Sequence, residues 1–479
     1  MEPLTKKEKE TIGLLSIGTF LEYFDLMLYV HMAVLLNELF FEKSNSYNEA
    51  LLAAFAFCST YFLRPFGALF FGYIGDKIGR KQTVTITTFL MAISCVAMAN
   101  LPTYAQIGFT ASVIVTICRI VQGMSSMGEI TGAQLYLSES IPAPRKYPAV
   151  AFLPVAISTG TMFALGIAYF VTNYEFNWRY AFWAGGLIAL VGATARTRLR
   201  ETPEFANVKL FLERGFKEEN IDKNPAYKKY FDVRAPIKTS LSLLFMDCMW
   251  PICFYFTYIH CGLILKNTFA YTADDVIHQN LMVSFVQIGS ALMFFFLTFK
   301  IHPLRILKWQ YLISVPVMLA YPFILDHINS PLQLFFLQAY MVFFAADAAP
   351  GTSVFFRYFP VLRRFTSIGL MYAISRAIVY VIISFGSVNL IDWFGNWGIL
   401  LIILPIVSIY AYGWCHFNKL ERKREREESN QMYTIVEAEE ETIKFKKNKI
   451  KRRGKKPLKN LKERSRKGNL KFISKESTI

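Results

Sequence analysis

Twelve apolar runs between residues 11 and 419 leave this chain one class of fold. A hydrocarbon core of roughly 30 Å takes about 20 apolar residues per helix. Runs of that length lie near 12–36, 48–72, 83–101, 107–135, 147–172, 178–198, 239–265, 277–299, 306–325, 331–356, 365–390 and 396–418. The expected structure is therefore an all-α polytopic membrane protein with twelve transmembrane helices. Continuous runs exclude a membrane β-barrel, whose strands alternate between a lipid face and a lumen face. With 54% hydrophobic and only 18% charged residues, the chain is also too poor in charge for a soluble protein of 479 residues. The first run is not read as a cleavable leader, because it is too long, carries Glu22 and Asp25, and lacks a small-residue cleavage site.

The connections between runs are strongly asymmetric. Even-to-odd connections hold Lys77, Arg80 and Lys81, then Arg145 and Lys146, then Arg196, Arg198 and Arg200, then Lys300, Arg305 and Lys308, then Arg357, Arg363 and Arg364. The opposite connections are nearly bare, with Lys43, Arg179 and Lys266 as the visible exceptions. Positive residues are retained on the cytoplasmic side, so both termini are expected there. Trp178, Trp393 and Trp397 then fall at the outer interface, where amphipathic rings favour the headgroup level.

Five regions follow: a cytoplasmic N-terminus over 1–11, a six-helix half over 12–198, a polar cytoplasmic loop over 199–238, a second half over 239–418 and a basic tail over 419–479. Two six-span groups are the layout of a duplicated transporter with its site between the halves. The tail carries eleven of the seventeen net positive charges. Such a segment after a span either lies against anionic lipid or is a solvated, disordered tail, and the residues leave both open. Nucleic acid is a poor reading of the basic charge when most of it sits beside a membrane. No phosphate-binding loop of the G-x-x-x-x-G-K-[ST] type occurs, so ATP is not expected as an energy source. The seven cysteines lack metal-ligand spacing and read as apolar fillers, and no cofactor is expected.

Several motifs are specific. Gly72-x-x-x-Asp76-x-x-Gly79-Arg80-Lys81 lies between spans 2 and 3, with glycines that permit close approach and opposite charges at a seam. It resembles the corresponding loop of the major facilitator superfamily. That resemblance implies a cytoplasmic latch of the outward-facing state, formed by Gly72, Asp76, Gly79 and Arg80. Glu22-Tyr23-Phe24-Asp25-x-x-x-Tyr29, Arg64-Pro65-Phe66-Gly67-Ala68-Leu69-Phe70-Phe71-Gly72, Arg119-x-x-Gln122-Gly123-x-x-x-x-Gly128-Glu129 and Arg200-Glu201-Thr202-Pro203-Glu204-Phe205 resemble the metabolite:proton symporters of that superfamily. Bacterial proline/betaine, shikimate, α-ketoglutarate and citrate carriers are in this group. The resemblance implies proton-coupled symport of a small solute across a bacterial inner membrane, with a zwitterion such as proline or glycine betaine preferred over a di- or tricarboxylate. Met127 and Tyr23 depart from the usual Gly and Trp, Phe299–Arg305 replaces a second copy of the loop, and the tail shows no clear heptads.

Ionisable groups within spans are costly and are functional candidates by default. Glu22, Asp25 and Tyr29 share one face of span 1, and Arg119, Gln122, Ser126 and Glu129 fall within one arc of span 4. These residues are candidates for proton coupling or for lining the substrate cavity. The competing reading is an ion pair, such as Arg119 with a span 1 carboxylate, that only holds the helices in register. In the second half the candidates are Asp247, Trp250, Asp347 and Arg376. Asp247, Trp250, Phe254 and Tyr258 are expected on one face, and Asp347 and Arg376 are expected to be able to neutralise each other. No nucleophile and base pair or metal constellation points to an enzyme. A non-transporting receptor on the same fold is the remaining alternative. Reporter fusions at Asn45, Asn173 and Asn329 are expected to read outside, and fusions near Lys81, Lys223 and Lys444 inside. One clear reversal breaks this topology.

Overall fold

A computed structural model of the chain describes residues 4–32, 36, 39–41, 61–173, 177–217 and 235–452. All regular structure among them is helical, as a lipid-facing backbone with no water to bond requires. The helices are α1 (Lys6–His31), α2 (Arg64–Lys77), α3 (Arg80–Asn100), α4 (Phe109–Ser140), α5 (Leu153–Asn173), α6 (Arg179–Arg196), α7 (Ile237–Phe269), α8 (Ala273–Leu297), α9 (Pro303–Asp326), α10 (Pro331–Phe343), α11 (Arg364–Phe394) and α12 (Leu400–Arg452). They occupy the expected spans in order; residues 48–60 of the second span lie outside the described residues. Eight helices among the described residues are long and apolar enough to cross a bilayer. The protein is a multi-pass membrane protein. Phe66, Phe70, Phe170, Phe296, Phe323 and Phe336 are each more than half exposed, an outer surface suited to lipid rather than water.

The helix ends follow local chemistry. Thr5 and Glu8 form a reciprocal capping box at the start of α1, and Thr272 and Asp275 do the same for α8. Proline occupies the first turn of α9 and α10, where its missing N–H costs nothing. The tenth span, expected as one helix over 331–356, is broken. Here α10 stops at Phe343, the chain runs irregularly to Ala348, and a 3-10 turn over Ala349–Gly351 leads into Thr352–Phe355. Pro350 disfavours helix in the residue before it, and Asp347 accepts the N–H of Ala349 at 3.2 Å, giving the backbone a local alternative to the helical bond. Within α7, Tyr255–His260 is π-helical, which advances the phase of every later side chain.

Two compact units are present, Met1–Phe417 and Asn418–Ile479. In the first, α1 packs on α5 and α6, α3 on α4 and α6, α7 on α11, and α8 on α10. The first six helices meet the last six chiefly through α2 against α11 and α5 against α8. These pairs are reciprocal, the second and fifth helices of one group meeting the fifth and second of the other. In the second unit the described residues are helical to Arg452, whereas the sequence left open lipid contact or a solvated, disordered tail from 419. Lys423 with Glu427, Arg424 with Glu421 and Arg424 with Glu428 lie 3.7, 3.3 and 3.4 Å apart at helical spacings, which supports a helix without an apolar face. Residues 453–479 lie outside the described residues.

Close packing around α2 relies on glycine. A Cβ on Gly67 would lie 2.6 Å from the Met124 Cα, which is backbone and cannot move aside. Gly166 on α5 has nothing within 4 Å. Gly67→Val is expected to destabilise the fold by about 1–3 kcal/mol, read as a lower unfolding temperature in detergent, while Gly166→Ala leaves that temperature unchanged or higher.

Candidate functional site

A cavity lies between the first six and last six helices, with about 930 Å³ of atom-free space including the part open to solvent. Tyr23 of α1, Thr131 and Gln134 of α4, Ser158 of α5, Asp247 and Trp250 of α7, Gln287 and Ser290 of α8, Gln310 of α9, Asp347 beyond α10, and Tyr372 and Arg376 of α11 are among its lining. All four second-half candidates, Asp247, Trp250, Asp347 and Arg376, therefore meet here. Arg376 interacts with both Asp247 and Asp347. Arg376 lies 3.7 Å from the Asp247 carboxylate and donates to the Asp247 carbonyl at 2.8 Å, while Asp347 accepts from a backbone N–H. The helix break explains this, because it lets the Asp347 carboxylate turn back onto its own chain.

Beside the cavity is a smaller aromatic chamber that shares Tyr23, Trp250, Tyr372 and Arg376 with it and adds Tyr61, Arg64, Phe254 and Tyr380. The guanidinium of Arg376 stacks 3.8 Å from the Tyr372 ring centroid, and that of Arg64 lies 4.7 Å from Tyr61. Phe254 faces the chamber with Trp250 as expected. Tyr258 does not: the π-helical stretch carries its hydroxyl to Gln287, to which it donates at 2.7 Å.

The first-half candidates form a third cluster. Arg119 lies 3.6 Å from the Asp25 carboxylate, donates to the Gln122 Oε1 at 3.0 Å and stacks 3.8 Å from the Tyr29 ring centroid. Gln122 Nε2 in turn donates to Asp25 at 2.9 Å. Glu22 pairs instead with Arg64 of α2, at 3.5 Å. The two acids, their arginines, Gln122 and Ser126 line one small chamber. Glu129 does not join them. It pairs with Arg196 of α6 and accepts from Thr87 and Thr88 of α3. Ten residues past Arg119 it sits about 80° around the helix, at the edge of the arc, which faces α3 and α6. Arg64, Arg196 and the two threonines were missed as site residues; Arg64 was visible only as the first residue of a motif.

The expected latch residues bridge the first six and the last six helices. Asp76 on α2 accepts the backbone N–H of Phe365 at 3.0 Å and of Thr366 at 2.9 Å, in the first turn of α11. It is a helix cap supplied by another helix, an anion set where donors are unsatisfied and the dipole is positive. Arg80 is fully buried and holds Glu139 through two bonds of 3.1 and 3.3 Å. It also donates to Asp76 at 3.2 Å and, across the seam, to the Val361 carbonyl at 2.6 Å. Glu139 is shared with Arg364 at 3.0 Å, which reaches Glu204 at 2.9 Å. Glycine is required at two of these positions. A Cβ on Gly72 would stand 2.7 Å from the Thr366 Cα, and Gly79 has a φ of +149 with Glu201 against it. Glu201 accepts the N–H of Arg80 at 3.0 Å and Thr202 donates to Glu139 at 2.8 Å, so the Arg200–Phe205 motif packs against the same seam.

Comparisons with known proteins agree with this architecture. Residues 15–332 match the family described as Major Facilitator Superfamily. A putative proline/betaine transporter of Staphylococcus aureus (strain COL) is 35% identical over 211 residues, 42% of this chain and 45% of that one. A proline/betaine transporter of Salmonella typhimurium is 30% identical over 219 residues, 44% of each chain. The chain thus spans less than half the length of these relatives. The solved structure of a proton:xylose symporter bound to 6-bromo-6-deoxy-D-glucose superposes with a TM-score of 0.67 at 15% identity, covering 86% of this chain and 95% of that one, a likeness of fold.

The Glu129 and Arg196 pair tests the charge assignment. Arg196 is fully buried and also donates to the Leu15 carbonyl at 2.8 Å, so its removal strands a carboxylate among α1, α3 and α6. Arg196→Met is expected to cost about 3–5 kcal/mol, read by thermal unfolding in detergent, and adding Glu129→Leu to restore part of the loss.

Proposed function

The chain belongs to the major facilitator superfamily, and from that premise we propose that it is a secondary active transporter working by alternating access. The observation that carries this reading is a cavity lined by both sets of six helices, together with contacts at the Asp76–Arg80 seam that cross between them. Breaking the Asp76 and Arg80 contacts would free α2 from α11 at that seam. A solute then faces either side of the membrane in turn. Both termini and the closed seam are placed on the cytoplasmic side of a bacterial inner membrane by the Lys/Arg asymmetry, so the described state is closed inward. The basic segment after Lys419 would lie against anionic lipid on that side.

The solute class that fits is a small zwitterion, of which proline and glycine betaine are the models, carried with protons. Arg376 at the junction of cavity and chamber offers a planar fork for a carboxylate, while the rings of Trp250, Tyr23 and Phe254 suit a quaternary or secondary ammonium. The named relatives support the same class. A second reading, symport of a di- or tricarboxylate, is favoured by Arg64 and Arg376 lining one chamber. In either case the Glu22, Asp25, Tyr29, Arg119, Gln122 cluster borders the path, whereas Glu129 serves the packing of α4 on α3 and α6.

Uptake of labelled proline, glycine betaine, α-ketoglutarate and citrate into proteoliposomes, with and without an imposed pH gradient, tests this. Accumulation of proline or betaine driven by the gradient is expected. Accumulation of α-ketoglutarate or citrate alone selects the second reading, and no uptake of any solute favours a receptor. Asp76→Asn is expected to slow exchange while leaving solute affinity near that of the unaltered protein, because the residue touches the seam and not the cavity.

A further inference from the structure

Among the described residues, the ionic groups within the spanning helices do not balance, and the imbalance has one address. Glu22 has Arg64, Asp25 has Arg119 and Glu129 has Arg196, one guanidinium for each carboxylate. In the second half, Asp247 and Asp347 line a single cavity with Arg376 alone. Arg376 lies 3.7 Å from the Asp247 carboxylate and also interacts with Asp347, so one guanidinium serves two carboxylates. One negative charge is left over where the partly exposed Asp347 faces the cavity, and a carboxylate at membrane depth is costly without a full counter-charge. A second observation points to what neutralises it. Gln310 is 3% exposed, lines the same cavity, and its Oε1 has no hydrogen-bond partner. An unpaired acceptor lining the same cavity as a surplus anion is suited to a cation or a donor.

We infer that the break after α10 is a binding site for one monovalent cation, a proton or an alkali ion, held by the Asp347 carboxylate with Gln310 beside it. A divalent metal does not fit, since no group of three His, Cys, Asp or Glu side chains is gathered among the described residues. The titratable and charged groups around Asp347 are Asp247 and Cys253 on α7, Arg376 and Tyr372 on α11, Tyr410 on α12 and Tyr23 on α1. The other helices lining the cavity present amides, hydroxyls and apolar groups. Unwound backbone at mid-membrane is where carriers commonly hold coupling ions. The assignment has a stoichiometric consequence that rests on the transport reading. A zwitterion adds no net charge, so solute alone leaves the surplus in place, while solute plus one cation removes it. The loaded carrier then crosses neutral and each cycle moves one charge.

Binding can be measured without any solute. The full chain in nanodiscs is melted in two arms: sodium chloride replacing N-methyl-D-glucamine chloride at fixed pH, and pH lowered from mildly alkaline to mildly acidic without sodium. Loading Asp347 removes an uncompensated charge from the folded state, so the unfolding temperature is expected to rise in the responsible arm. Asp347→Asn is expected to lose that rise and to melt no lower than the unloaded unaltered protein, while Asp347→Glu keeps the rise. The inference is overturned if the unaltered protein is flat in both arms, if Asp347→Asn responds as the unaltered protein does, or if it melts below the unloaded form. A rise lost in Asp347→Asn, together with no accumulation of any solute, keeps the site and removes the transport reading. Accumulation without a rise in either arm does the reverse.

Discussion

A carboxylate carried into a bilayer must find a counter-charge within a few ångströms, and that condition organises this molecule more than any other. Each solution joins a different pair of helices: Glu22 to Arg64 ties α1 to α2, Asp25 to Arg119 ties α1 to α4, Glu129 to Arg196 ties α4 to α6, and Asp247 to Arg376 ties α7 to α11. Apolar packing cannot select partners in this way, since lipid tails are as apolar as the side chains they contact. Four helix pairs are thus joined by charge, whereas others, such as α1 with α5 and α8 with α10, pack with no ion pair between them among the described residues. The same condition makes Asp347 conspicuous.

Much of this was readable in the amino-acid sequence because its signals are local. Span positions follow from run length, and orientation is argued from Lys and Arg in the connections. The seam was announced by glycines and charges within ten residues. The face shared by Glu22, Asp25 and Tyr29 was likewise a matter of helical phase. What could not be read was which distant group each charge would meet. Asp347 and Arg376 were plausible partners on adjacent spans, yet α7 brings Asp247 to the same arginine. Glu129 looked like part of the Arg119 stripe until α3 and α6 supplied Thr88 and Arg196 at its edge.

Two departures from regular helix account for the rest. A hydropathy run contains no sign that Ala345–Ala348 will leave the helix, although Pro350 and a following-residue hydrogen bond to Asp347 are sufficient cause afterwards. The π-helical stretch in α7 is quieter still: nothing in Tyr255–His260 marks it by composition, and it decides that Phe254 faces the aromatic chamber while Tyr258 faces Gln287.

The cap that Asp76 places on α11 separates the charged contacts into two kinds according to what can replace them. At the seam, the Phe365 and Thr366 amides lie close to the membrane surface, and Glu204 in the same network is 40% exposed. Water can enter there and take over each bond as it parts, so separation exchanges one set of partners for another at small net cost. Deeper pairs such as Asp25 with Arg119 are buried, and in the proposed cycle they would stay closed while the surface contacts turn over. In the proposed transport cycle, solvent would act as a reactant in opening one end, and each group of helices would keep its shape through bonds buried from water.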